Sequence, residues 1–494
     1  MARRRSCLYC YRRFYNSRVN KPGDLFDRDA EWSQLSRFAA GAGSELAVVY
    51  GRRRQGKSFL LQALAEAAGG LYWEGAQQSR RQNLESFAAC WGRWTGAPFA
   101  PPSDSWEQLL DAVFAGPPGL VVIDEAGYLV ETAPEFPSLL QRYFGRRARG
   151  AGGIRVVLCG SVLAQMTKLM AAGAPLRGRQ GLNLRIDPFD YRVAADYWGL
   201  REHPAEAFRL HALIGGTAAY KTYCGGEAPR PGRLGPWAER HLLNPASPLH
   251  HEGGLLVAED PSLQDRSLYW GLLNAVADGH VRRSALAQAV GRPPTAIASP
   301  LATLVAGGWI EQRADPLHAK ASTIVLAEPL LRTHRHVLAA AGPRLVRSRG
   351  AGLWQELQPI LERLVYPAHL EMLAAEFLLR YAAEDTTGGR PNNVGPSVLR
   401  ARGGVRQLDV VAVEPSGRGP RVCAVGEVKS GRQVVGGAEL QRLDEVVAEL
   451  GPRADAETRR LLFAETGFTV ELQREGRRRG NVELIDLDRL YRGV

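Results

Sequence analysis

Three groups of residues have the types and spacing to do chemistry. The first is Gly51-Arg52-Arg53-Arg54-Gln55-Gly56-Lys57-Ser58, which fits the phosphate-binding pattern G-x-x-x-x-G-K-[ST]. Its glycines let backbone N–H groups and a helix N-terminus point at phosphate oxygens. All eight residues, Gly51 to Ser58, are expected to contact a nucleotide. Lys57 would reach the β- and γ-phosphates, and Ser58 would ligand Mg²⁺. The rival is a glycine-rich turn that holds a lysine by chance, and the chain contains only six lysines.

The second group is Asp124-Glu125, at the end of the apolar run Leu120 to Ile123. Asp124 would hold the Mg²⁺ through water, and Glu125 would orient and deprotonate the water that attacks the γ-phosphate. An acidic turn after a strand is common. It gains meaning from its place downstream of a phosphate loop. Ser161 follows another apolar run and reads equally as a sensor beside the γ-phosphate or as a small residue that opens a helix. Arg177 and Arg179 are candidates to reach a nucleotide, their own or a neighbour's, against the default of solvated arginines.

The third group is Asp409, Glu427 and Lys429, with Glu376 upstream on a helix. Two carboxylates and an ammonium on one sheet face are costly to bury unless they bind a metal. Asp409, Glu427 and Glu376 would hold a divalent cation, and Lys429 would orient the attacking water or stabilise the developing charge. The plain alternative is a surface salt bridge on an edge hairpin.

The elements that must carry these groups follow from the pattern. Leu46 to Tyr50, a strand, and Ser58 to Ala68, a helix, flank the phosphate loop as the motif requires. Leu71 to Glu74, Leu120 to Glu125, Arg155 to Leu158 and Leu184 to Ile186 are further strands with helices between them. They predict an α/β fold with one doubly wound parallel sheet, ligands binding at the strands' carboxyl ends. Residues 24–189 form this core, 190–248 read as a helical lid, and 249–327 as a winged helix-turn-helix with Thr295 to Ala306 as recognition helix. A winged helix serves DNA or a protein partner. Residues 328–369 are a connector whose basic cluster includes Arg332, Arg335, Arg344, Arg347 and Arg349. Residues 370–494 form a C-terminal α/β nuclease-like domain. There, Gln407 to Val413 and Val422 to Lys429 are expected to pair as an antiparallel hairpin. If Val413 pairs with Val422, Asp409 falls opposite position 426, and a one-residue slip places it opposite Glu427.

Composition bounds the rest. A chain of 494 residues has room for about three domains. No apolar run approaches the ~20 residues of a membrane span, and the basic arm 1–23 lacks the apolar stretch of a secretion signal. Six scattered cysteines suit a reduced cytoplasm; Cys7 and Cys10 have metal-ligand spacing but no second pair. The net charge of +12 points to nucleic acid, although arginine-rich coding bias explains part of it.

The residues also resemble a known family. Phe26-x-Arg28-x-x-Glu31, the phosphate loop, Ile123-Asp124-Glu125, Gly160-Ser161, Pro175 to Arg179 and Gly215-Gly216-Thr217 are similar to the archaeal-type ATPases of the STAND/AAA+ group. The C-terminal region resembles the PD-(D/E)XK nuclease-like domain often appended to them. This resemblance runs from residue 24 nearly to the end. It implies ATP binding with Mg²⁺ and slow hydrolysis. Gln55 stands where the family usually has a small apolar residue. Gln407 stands where the appended domain is expected to be acidic, which bears on nuclease activity, not on fold. The reading is an ATP-binding and ATP-hydrolysing switch acting on DNA or other nucleic acid, whose C-terminal domain would cut DNA or merely hold it. The rival is a regulatory ATPase whose nuclease-like domain is silent. Homo-oligomers are compatible with either.

Overall fold

The structure, a computed structural model, describes residues 20–96, 104–146, 153–161, 166, 169–260, 262–401, 404–417 and 419–494. Most of the expected basic arm, with Cys7 and Cys10, lies outside the described residues. The chain divides into two compact units, Met1–Pro188 and Phe189–Val494.

The first unit is built on five strands: β1 (Glu45–Tyr50), β2 (Leu71–Glu74), β3 (Gly119–Asp124), β4 (Ile154–Gly160) and β5 (Gln180–Arg185). Their order is β2-β3-β4-β1-β5 and every neighbouring pair is parallel. Alternate residues feed two separate cores, one on each face. Leu46, Val48, Val121, Ile123, Val156 and Leu158 enter the first. Ala47, Val49, Leu120, Val122, Val157 and Cys159 enter the second. That is why these strands read as unbroken apolar runs. Helix Lys57–Ala68 covers the second face with Leu60, Leu61, Leu64 and Ala65, and stops at Gly69, whose φ of +61° suits glycine. Helix Arg80–Thr95 covers the first face, and its start is fixed by a reciprocal Ser79–Gln82 capping box.

The second unit begins with helices Tyr191–Tyr197, Pro204–Ile214, Leu234–His241 and Pro248–Ala258. Three helices follow, Arg266–Ala277, Arg283–Ala289 and Ala298–Ala306, and then an antiparallel pair, β6 (Ile310–Ala314) and β7 (Ser322–Leu326). Helices Pro329–Thr333, Ala339–Ser348, Leu353–Ile360 and Tyr366–Arg380 lead into a second sheet. Its strands are β8 (Asn393–Ala401), β9 (Gly404–Glu414), β10 (Arg421–Lys429), β11 (Arg459–Ala464) and β12 (Val482–Asp486). The order is β12-β11-β10-β9-β8, antiparallel from β8 to β10 and parallel from β10 to β12.

One apolar core runs through this whole unit. Phe208 and Leu213 from the expected lid, Leu272 and Leu304 from the three-helix segment, and Phe377, Val410 and Phe463 from the C-terminal segment all belong to it. The hairpin is also tied down: Asp315, just after β6, accepts from Ser397 Oγ on edge strand β8 at 2.5 Å, and His318 meets the Val398 carbonyl at 2.8 Å. Much of the basic connector is engaged internally, with Arg335 on Asp278 at 2.9 Å and Arg344 on Glu356 at 2.9 Å. Among the described residues no helix is long and apolar enough to cross a membrane.

Candidate functional site

The phosphate loop runs between β1 and helix Lys57–Ala68. Ile186 N–H donates to the Tyr50 carbonyl at 2.8 Å, and this brings β5 so close that a Cβ on Gly51 would lie 2.3 Å from the Ile186 carbonyl oxygen. Only glycine fits there. Gly56 caps the helix with φ +83°, and Arg54 takes φ +71° without being glycine. Left-handed backbone at a non-glycine residue is strain of the kind held at functional loops. Arg28 braces the loop from outside. Its guanidinium is buried, donates to the carbonyls of Gln55 at 3.4 Å and Asp187 at 2.7 Å, and pairs with Glu31 at 3.0 Å. Lys57 is 5% exposed, and its Nζ donates to the Arg52 carbonyl at 2.8 Å. Burial pulls its pKa down, while nearby Cys159, Glu125 and Asp124 act in the opposite sense. A buried ammonium resting on a carbonyl, beside a helix N-terminus, suits an arriving polyphosphate.

Asp124 ends β3, completely surrounded. Its Oδ1 accepts from Glu125 N–H at 2.8 Å, and its Oδ2 accepts from the Tyr72 hydroxyl at 2.7 Å. The Cys159 thiol lies near this carboxylate, and burial, first, and then Asp124 hold that thiol well above its usual pKa. Burial and Asp124 likewise raise the Tyr72 phenol, so it stays a donor. Glu125 sits at φ +47°, and its Oε2 accepts from Ser161 Oγ at 2.8 Å. Ser161 therefore holds the Glu125 carboxylate. It can do so because β4 lies between β1 and β3. Arg53 reaches across the same space, donating to Tyr128 Oη at 2.8 Å and to Ser161 Oγ at 3.5 Å. The donor types here suit Mg²⁺: one hydroxyl from Ser58 and one carboxylate from Asp124, hard oxygens of the kind this ion takes alongside waters and phosphate oxygens.

The C-terminal cluster lies at β9 and β10. Val413 pairs with Val422, and an irregularity between Val422 and Ala424 then shifts the ladder so that Gly426 faces Val410. One residue on, Glu427 lies across from Asp409. Asp409 Oδ2 accepts from Val428 N–H at 3.0 Å, and Lys429 Nζ donates to Glu427 Oε1 at 2.5 Å. Burial raises the Asp409 pKa. Among the described residues no three His, Cys, Asp or Glu side chains stand close enough together to hold a metal. Lys429 on Glu427 and Val428 on Asp409 instead partner one oxygen of each carboxylate within the protein.

The fold has known counterparts. A Walker-type ATPase of Pyrococcus abyssi is similar over 66% of this chain and 99% of its own, at 19% identity and a TM-score of 0.51. Looser likenesses are the ORC2 protein of Aeropyrum pernix, solved as ADPNP and ADP complexes (17% identity, 70% and 98% of the two chains, TM-score 0.41), and Cdc6p of Pyrobaculum aerophilum (15%, 67% and 97%, TM-score 0.33). No protein-family model matches the sequence, and no curated protein matches it. The chain thus shares its fold with that Walker-type ATPase over about two thirds of its length.

Several expected site residues lie elsewhere. Arg177 and Arg179 are exposed in the turn before β5. Gln180 is level with Leu46 and Arg185 with Tyr50, so they stand at the amino edge of the sheet, about 16 Å of strand from the phosphate loop. They stand away from the phosphate loop of their own chain. Glu376 is not part of the Asp409 cluster: its charged neighbours are Arg380, Asp190, Arg313 and Glu311. The helix residue that faces Asp409, Glu427 and Lys429 is Glu371, with Arg332 also near it. Tyr72 and Cys159 were not anticipated. The signal for both was strand alternation, which places them on the same face as Asp124.

Proposed function

We propose that the chain is a Mg²⁺- and ATP-dependent molecular switch that acts on nucleic acid. One observation carries the nucleotide half of this reading. Lys57 and Ser58 stand at the end of β1, Asp124 and Glu125 at the end of β3, with Ser161 between them on Glu125 at 2.8 Å. The likeness to the Walker-type ATPase fold supports it. Residues Gly51 to Ser58 would cradle the triphosphate, with Lys57 on the β- and γ-oxygens. Ser58 and Asp124 would hold Mg²⁺, which when bound neutralises charge on the bridged phosphate oxygens. Glu125, set by Ser161, would orient the attacking water and take its proton. Residues 24–189 would be the ATPase core, 190–248 its lid, 249–327 a winged helix and 370–494 a PD-(D/E)XK-like domain.

The nucleic-acid half rests on the charge of +12 and on the three-helix-and-hairpin module. The second reading, a regulatory ATPase with a silent nuclease-like domain, is favoured by one observation: Lys429 closes on Glu427 at 2.5 Å. A single assay set separates them. ATP turnover is measured with and without DNA, and Glu125→Gln is expected to keep ATP while losing ~10²–10⁴ in rate. A turnover rate indifferent to DNA removes the nucleic-acid role. Equal nicking of plasmid by wild type and Lys429→Ala removes the nuclease site.

A further inference from the structure

Tyr72 belongs to neither half of the nucleotide motif, yet it holds the carboxylate of one. Strand β2 pairs with β3 in parallel, Tyr72 opposite Val122 and Glu74 opposite Asp124. Tyr72 is therefore one pleat behind Asp124 on the same face, and its side chain leans forward along that face. Its hydroxyl donates to Asp124 Oδ2 at 2.7 Å. Asp124 itself is 1% exposed.

Tyr72 spends its one proton on Asp124 Oδ2 and so fixes that carboxylate's orientation. We propose that Tyr72 is a positioning residue for the divalent cation of the bound nucleotide, holding the Asp124 carboxylate in the orientation the ion needs. The proposal rests on the nucleotide reading above. Residues around a ligand set that fix its orientation commonly matter about tenfold or more in metal affinity.

The test compares the full chain with Tyr72→Phe, which keeps the ring and removes the hydroxyl. Affinity for a fluorescent ATP analogue is measured twice, in EDTA and with Mg²⁺, and the ratio of the two is the readout. Tyr72→Phe is expected to bind within about twofold of wild type in EDTA, and to show a metal enhancement about tenfold smaller. Mn²⁺ bound to the nucleotide-loaded protein, read by electron paramagnetic resonance, should fall in step. An unchanged ratio overturns the proposal. An equal loss in both conditions also overturns it, because it marks Tyr72 as merely structural. No affinity of the wild type in either condition would instead bring down the nucleotide reading itself, and this proposal with it.

Discussion

Glu371 and Glu376 sit on one helix, Tyr366–Arg380, and burial, first, raises both carboxyls to about 7. Five residues of α-helix turn the chain through about 500°, so the two point to sides about 140° apart. Only one of them can face β9 and β10. Sequence spacing does not say which, because both are polar breaks in an apolar helix; tertiary packing chooses Glu371. Its raised pKa has a consequence. The folded chain holds the Glu371 proton to about pH 7, whereas the unfolded chain releases it near 4.5. Stability from this group is therefore greatest at low pH and falls as pH rises through that window. Without added divalent metal, Glu371→Gln is expected to match wild type at pH 5. At pH 8 it is expected to be more stable by ~1–3 kcal/mol, a few degrees in a thermal melt. The same difference at both pH values would contradict the burial of an ionisable carboxyl there.

At the scale of elements, the strands were legible and their order was not. Leu46 to Tyr50 and Leu120 to Ile123 announce themselves as apolar runs because both faces of the sheet are covered. β5 has a single buried residue, Leu184, and begins at Gln180, well before the expected Leu184. The insertion of β4 between β1 and β3 is a long-range fact that no local pattern carries. It is what brings Ser161 to Glu125. The close passage of β5 over Gly51 is equally non-local, and it yields a prediction. Gly51→Ala drives a methyl into the Ile186 carbonyl at 2.3 Å. It should cost ~1–3 kcal/mol or more and weaken ATP binding. Gly437→Ala, in open space at a helix start, should stay within ~0.5 kcal/mol in the same chemical denaturation. Equal tolerance of both changes would mean that β5 does not press on the loop.

At the scale of the whole molecule, motifs suggested a string of modules, while the packing shows two units. Each module has its own recognisable pattern, but apolar residues do not reveal which other segment they pack against. His211 Nδ1 lies 2.9 Å from His369 Nε2, and Arg209 reaches Glu465 at 3.1 Å. Arg192 Nη2 donates to the carbonyls of Leu490 and Gly493 at 2.7 Å. These contacts bind the expected lid to the C-terminal segment, in one shared core. Limited proteolysis should therefore leave a fragment beginning near Phe189 and reaching the C-terminal sheet. A stable fragment ending near position 327 or 369 would contradict the shared core. The central claim is that a triphosphate seats on Lys57, and titration calorimetry of ATP with Mg²⁺ into the full chain tests it most directly. Saturable binding by wild type, lost in Lys57→Ala with the fold intact by circular dichroism, is the expected result. No heat of binding by wild type with either adenine or guanine nucleotides, or equal affinity in Lys57→Ala, would contradict it.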